Sequence, residues 1–213
     1  MGESNAYSVT FKSLTQDVAS LITLHPSSEG TPGRPAGDPG PLLRSTVVLL
    51  HTAWENYVEQ VALEGFGFLL SQIGDDHDKL HHQMRTLVGS TKNPWALAGS
   101  GWQSEARTIL EKHVARLNTP NVANSEELFG LAFGASDILH SVSWQRAGNS
   151  TVVRKVNEFV HDIRGEIVHK GTTPGKLNKD GVKGWIQFFN NLVKQLDAKV
   201  ADSLLDTTGT RPW

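Results

Sequence analysis

The sequence predicts an all-α fold, and three observations carry that expectation. Apolar residues recur at steps of three and four through several long stretches. No run alternates apolar and polar residues strictly enough to read as a half-buried strand. Glycine and proline gather between the periodic stretches, where they punctuate rather than interrupt. A chain of 213 residues suits one medium domain. The expected architecture is an antiparallel helical bundle of about five to seven helices, with two long C-terminal helices.

The first periodic segment spans Ser4 to His25, with Phe11, Leu14, Val18, Leu21 and Ile22 on one face. It makes an N-terminal helix, residues 1–25. Residues 26–41 hold five prolines and four glycines in sixteen positions, a composition that reads as a flexible loop. Residues 42–206 form the main helical domain. It opens with a long helix from Leu42 to Ile73, where Leu43, Val47, Leu50, Trp54, Val58 and Val61 approach a seven-residue repeat and Gly65 and Gly67 suggest a bend. Further helices are expected over Asp75–Val88 and Ser104–Leu117, with irregular chain between them. Ser125 then reads as the N-cap of a helix running through Phe133 and on toward Trp144. Asn149 and Ser150 cap a helix from Thr151 to His169, ended by Gly171 and Pro174. Asp180 opens the last helix, whose stripe runs through Val182, Trp185, Ile186, Phe189, Leu192, Val193, Leu196 and Val200. Residues 207–213 are expected to be a disordered tail.

Composition narrows the chemistry. The absence of cysteine removes disulfides, thiolate zinc sites, iron–sulfur clusters and cysteine nucleophiles together. With 20 basic residues against 22 acids, any nucleic-acid contact must come from a local patch. One such patch is Thr151–Lys199, with nine basic residues and five acids. The N-terminus lacks a signal-peptide pattern and no stretch approaches the ~20 apolar residues of a membrane span. A soluble, cytoplasmic protein with no membrane contact is expected.

Standard nucleophile and cofactor motifs are missing, so no cofactor is expected. In Asp75–His82, His77 and His81 lie four apart, as do Asp78 and His82, which is metal-ligand spacing on a helix. No further Cys or His lies nearby to complete a set. The cluster reads as a polar helix start, and no metal is assigned. Trp95, Trp102 and Trp144 can stack bases, although tryptophans in helical proteins are more often core residues.

The informative stretch is Thr151–His169. At 100° per residue, Val152, Val156, Phe159, Val160, Ile163 and Ile167 fall on one arc, and Asn157, His161, Arg164, Gly165 and His169 on the opposite one. Histidines and an arginine on a polar face point to function more than the usual Lys/Glu mixture does. Mid-helix Gly165 costs about 1 kcal/mol unless close approach requires it. Arg164 and His169 point about 140° apart on an ideal helix with a rise of ~7.5 Å, so one cleft on one chain would struggle to use both.

These residues carry a resemblance. Arg164-Gly165-Glu166-Ile167-Val168-His169 resembles the R-x(4–6)-H motif of the HEPN superfamily, whose members are all-α. Trp54-Glu55-Asn56-Tyr57-Val58 is similar to an element of that family's early helix, and Leu117–Gly134 to the Asn-x-Pro stretch of its RiboL-PSP-HEPN subgroup. The resemblance implies a metal-independent endoribonuclease, common in toxin–antitoxin and anti-phage systems, acting as a homodimer through the motif helix on an RNA substrate. A neutralising antitoxin protein is the implied partner in the toxin members. His169 would act as base on the ribose 2′-OH, and Arg164 would stabilise the phosphorane, giving a 2′,3′-cyclic phosphate. Asn157, His161, Glu166 and Glu55 would support them, with His161 supplying the polar group that many members carry where Gly165 stands, and Glu55 orienting His169 or pairing with Arg164. Lys170 and Arg154 would hold RNA phosphates. The alternatives are a catalytically inactive HEPN domain that binds nucleotide, RNA or protein as a dimer, and a plain helical dimerisation module.

Overall fold

In the computed structural model, which describes residues 2–25, 38–175 and 177–213, the chain forms seven helices. A π-helical start, Ala6–Phe11, leads into Lys12–Thr23, and together they make α1. Next come α2 (Gly40–Ile73), α3 (His82–Gly89), α4 (Gly101–Val114) and α5 (Val122–Phe133). Helix α6 is built from Asn149–Asn157, a π-helical segment Glu158–Arg164, and Gly165–Lys170. The last, α7, spans Lys179–Thr208. Among the described residues, extended pairing is limited to one bridge, Trp144 with Ala147. No helix there is long and apolar enough to cross a membrane.

Helix α2 is the axis of the core. Its stripe of Leu43, Val47, Leu50, Trp54, Val58 and Val61 is buried as expected, and so are Ala53, Tyr57 and Ala62. A helix buried on so much of its circumference must be covered from several sides. On one side lies α1, antiparallel: Phe11 packs edge-on against Tyr57, and the Glu64 carboxylate accepts from the backbone N–H groups of Asn5 and Ala6. On another lies α7, where Trp54 meets Phe189 and the Tyr57 hydroxyl donates to Asp197 at 3.3 Å. Further along, a Cβ on Gly65 would stand 3.2 Å from Leu204 and 3.3 Å from Phe133. That glycine therefore lets α2, α5 and α7 approach closely, and α2 passes through it and Gly67 without a break. Contacts along α2 and α7 advance together, so these two long helices lie lengthwise in the same sense.

Several local expectations are corrected. Asp75–His81 is not helical: His77–Lys79 is a single 3-10 turn, and α3 starts at His82. The N-cap of α5 is Asn121, whose side chain accepts from the Asn124 N–H at 2.8 Å; Ser125 is buried inside the helix. That helix stops at Phe133 because Gly134 turns left-handed (φ 80°), which L side chains resist. The tail is not disordered. Helix α7 runs to Thr208, Arg211 pairs with Asp202 at 2.8 Å, and Trp213 packs on the core. The 26–41 loop lies outside the described residues except for 38–41, where α2 has already begun at Gly40.

Candidate active site

Three elements meet at the C-terminal half of α6. Its inner face is anchored by Phe159, which packs on Phe189 and Trp185 with ring centroids 4.6 and 5.1 Å away. The helix ends after Lys170 because Gly171 adopts φ 65° and returns its N–H to the Ile167 carbonyl. The π-helical segment Glu158–Arg164 departs from the continuous α-helix expected, and such insertions are frequent at functional sites. It rephases the polar face: Ile163, expected on the buried arc, is only half-buried.

An open pocket of about 470 Å³ lies on this half of the helix. His161, Asp162, Arg164, Gly165, Glu166, His169 and Lys170 line it, with Thr119 reaching it from the Asn118–Pro120 loop. Arg164 and His169 thus share one pocket on one chain, despite the divergence their spacing implies. His161, His169 and Lys170 are exposed; Arg164 and Glu166 are half-buried. Glu166 accepts from the Thr172 hydroxyl at 3.1 Å.

The loop is held by side chains on two helices. The Trp54 indole donates to the Pro120 carbonyl at 2.7 Å. Asn157 accepts from the Val122 N–H at 3.1 Å, and the Asn121 amide lies 3.2 Å from His161 Nε2. Asn157 therefore docks the start of α5 onto α6 and lies outside the Arg164 pocket. Arg154 pairs with Glu158 at 2.8 Å, and both line an adjoining depression of about 480 Å³ with Asn157, His161 and Asp162. Glu55 does not line either space.

The electrostatics centre on Arg164. No carboxylate among the described residues lies within ion-pair distance of its guanidinium. Its charge acts instead on two groups of α2. His51 is only 2 % exposed, and burial first, then Arg164, depress its pKa to about 4. Its Nε2 has no hydrogen-bond partner, and its Nδ1 stands 3.9 Å from Glu55, too far for a hydrogen bond. Burial raises the pKa of Glu55, and Arg164 opposes that shift. His51 was not singled out from sequence; the available signal was a histidine four residues before Glu55, hidden in an apolar stripe. Thr119 and Asp162 offered no signal in local pattern.

The Asp75–His82 cluster does not converge. Asp78 pairs with Arg85 at 2.9 Å, and His77 lies edge-on to Trp102. A different group, Glu126, Asp137 and His140, brings ligand atoms within 4.8 Å of one another. There Glu126 already accepts from both the ring Nδ1 and the backbone N–H of His140.

Chemically, the pocket offers a permanently charged planar fork that none of the described carboxylates, Asp162 and Glu166 of the lining included, engages in an ion pair, and an accessible imidazole. Those groups suit a phosphodiester and a proton transfer beside it. Comparison with curated proteins and with solved structures finds no match. The family model for RiboL-PSP-HEPN matches residues 10–202, from α1 to the last turns of α7 and across the whole pocket. By that match, the chain belongs to the RiboL-PSP-HEPN family, consistent with its all-α fold.

Proposed function

We propose that this protein is a metal-independent endoribonuclease that cuts RNA by 2′-OH attack. The observation that carries the reading is the shared pocket of Arg164 and His169. His169 accepts the 2′-OH proton as O2′ attacks the neighbouring phosphorus. Arg164 stabilises the charge on the equatorial oxygens. The P–O5′ bond breaks, O5′ takes up a proton, and the products are a 2′,3′-cyclic phosphate and a 5′-OH end. Lys170 beside the pocket and Arg154 in the adjoining depression hold flanking phosphates.

The working unit in this proposal is a homodimer joined along α6. Val168 supports it as an apolar side chain left 49 % exposed on the motif helix. Gly165 supports it too: a Cβ there would meet only the Val160 carbonyl, at 3.7 Å, so nothing within the chain demands glycine. Close approach by a second chain or by RNA would demand it. Two-fold symmetry then supplies two arginines and two histidines to one cleft. Membership of the family adds a toxin or anti-phage role, checked by an antitoxin, to this proposal.

The second reading, a catalytically silent RNA- or nucleotide-binding dimer, is favoured by Gly165 standing where many family members have a polar residue. RNA cleavage in EDTA with end-group analysis decides between them. Cyclic-phosphate ends made by wild type and lost in Arg164→Ala and His169→Ala support the enzyme. Equal products, or none, from all three chains overturn it. Expression of the same three chains gives a parallel readout, since only the active nuclease should arrest growth.

A further inference from the structure

A third pocket, of about 610 Å³, lies at the other end of α6. Trp144, Arg146, Lys155, Gln187, Phe188 and Asn191 line it, and no carboxylate does. Its rim is a tight reverse turn in which Trp144 and Ala147 exchange backbone hydrogen bonds of 2.9 and 3.0 Å. That turn forces Arg146 to φ 77°, the one positive φ outside glycine among the described residues. Strained backbone of this kind clusters at ligand clamps. Arg146 is exposed, and its guanidinium has no ion-pair or hydrogen-bond partner among the described residues. In the same lining, the Lys155 ammonium sits 5.3 Å from the ring centroids of both Trp185 and Phe188, which fixes its position. Trp144 is half-buried, its ring 5.5 Å from that of Phe188.

We propose that this pocket is a second RNA subsite, taking one unpaired base and its phosphate from the strand cut at Arg164 and His169. The proposal rests on the nuclease reading for the identity of the strand. Two cations with no carboxylate in the lining select an anion. A tryptophan face selects a planar ring, and the Gln187 and Asn191 amides can pair with a base edge. A free mononucleotide shares this chemistry. The strand is favoured by continuity: Lys155 lines this pocket, Arg154 and His161 line the depression beside it, and His161 also lines the catalytic pocket. From Lys155 to His169 the helix rises about 21 Å, so one single strand can pass over all three.

The test uses the full chain carrying His169→Ala, so that binding is read without cleavage. The probes are a labelled single-stranded oligoribonucleotide of roughly a dozen nucleotides and AMP. Arg146→Asn removes the charge with a residue that tolerates positive φ; Gln187→Glu places a carboxylate in the pocket from an exposed helix position. Each should weaken oligonucleotide binding by about tenfold, and Arg146→Asn should lower the slope of log K against log salt by about 0.7. Unchanged oligonucleotide affinity in both variants overturns the subsite, whether or not wild type cuts RNA. AMP binding that depends on Arg146, with oligonucleotide binding unaffected, makes this a nucleotide site and overturns it as well. Arg146-dependent oligonucleotide binding in a protein whose wild type cuts nothing upholds the subsite and ends the nuclease reading.

Discussion

The Trp54 indole, buried in the middle of α2, donates to the Pro120 carbonyl at 2.7 Å. A core residue thereby sets the position of the loop that carries Thr119 into the candidate active site. Trp54→Phe keeps an aromatic ring but leaves the Pro120 carbonyl unpaired, which costs on the order of 1–3 kcal/mol. Urea unfolding should show that loss, and RNA cleavage should fall with it as the loop shifts. Full stability in the variant would mean that the bond does not hold the loop.

His51 makes stability depend on pH. Its pKa in the folded chain is about 4, below its ordinary 6.5, so the unfolded chain binds the extra proton. The contribution is complete above pH 6.5 and is lost as pH falls toward 4, amounting to about 3 kcal/mol over that window. His51→Leu should flatten this limb in denaturant titrations run from about pH 4.5 to 7.5. An unchanged slope would locate the acid sensitivity elsewhere.

Gly165→Ala separates folding from function. A Cβ has room within the chain, and alanine favours a helix interior over glycine by about 0.5–1 kcal/mol. The melting temperature should rise while RNA cleavage drops. A variant that is both more stable and fully active would show that nothing approaches the helix backbone there.

Asp197 is buried and anchors the N-terminus, accepting from the Ser4 N–H at 3.1 Å and from its hydroxyl, as well as from Tyr57. Burial raises its pKa, and the two Ser4 bonds pull it back down. Ser4→Ala should therefore raise it further and cost about 1–3 kcal/mol near neutral pH. The difference from wild type should shrink as acid protonates Asp197, because the hydroxyl bond favours the charged form. A cost independent of pH would point to lost packing instead.

Much of this architecture was legible residue by residue. The stripes of α2 and α7 lie where apolar spacing places them, because a helix packed lengthwise on the core must repeat apolar residues at its own period. Caps were less legible. Ser125 and Asn121 are both good N-cap residues, and only packing shows that Ser125 is inside. The acidic and histidine-rich run Asp75–His81 fits a helix start in pattern, yet its chain turns through a 3-10 segment instead.

The amino-acid order alone determined the helical class and the presence of an arginine and a histidine five residues apart near the close of α6. Tertiary structure decided that these two share a pocket and that Thr119 reaches it. It also decided that His51 and Glu55 feel the charge of Arg164, and that Trp144, Arg146 and Lys155 face one cavity. The physical reason is range. Periodicity and capping act over a few residues along one helix, whereas burial and electrostatic coupling join residues far apart in the chain, as Ser4 and Asp197 are at 193 positions. Those couplings exist only once the helices have packed.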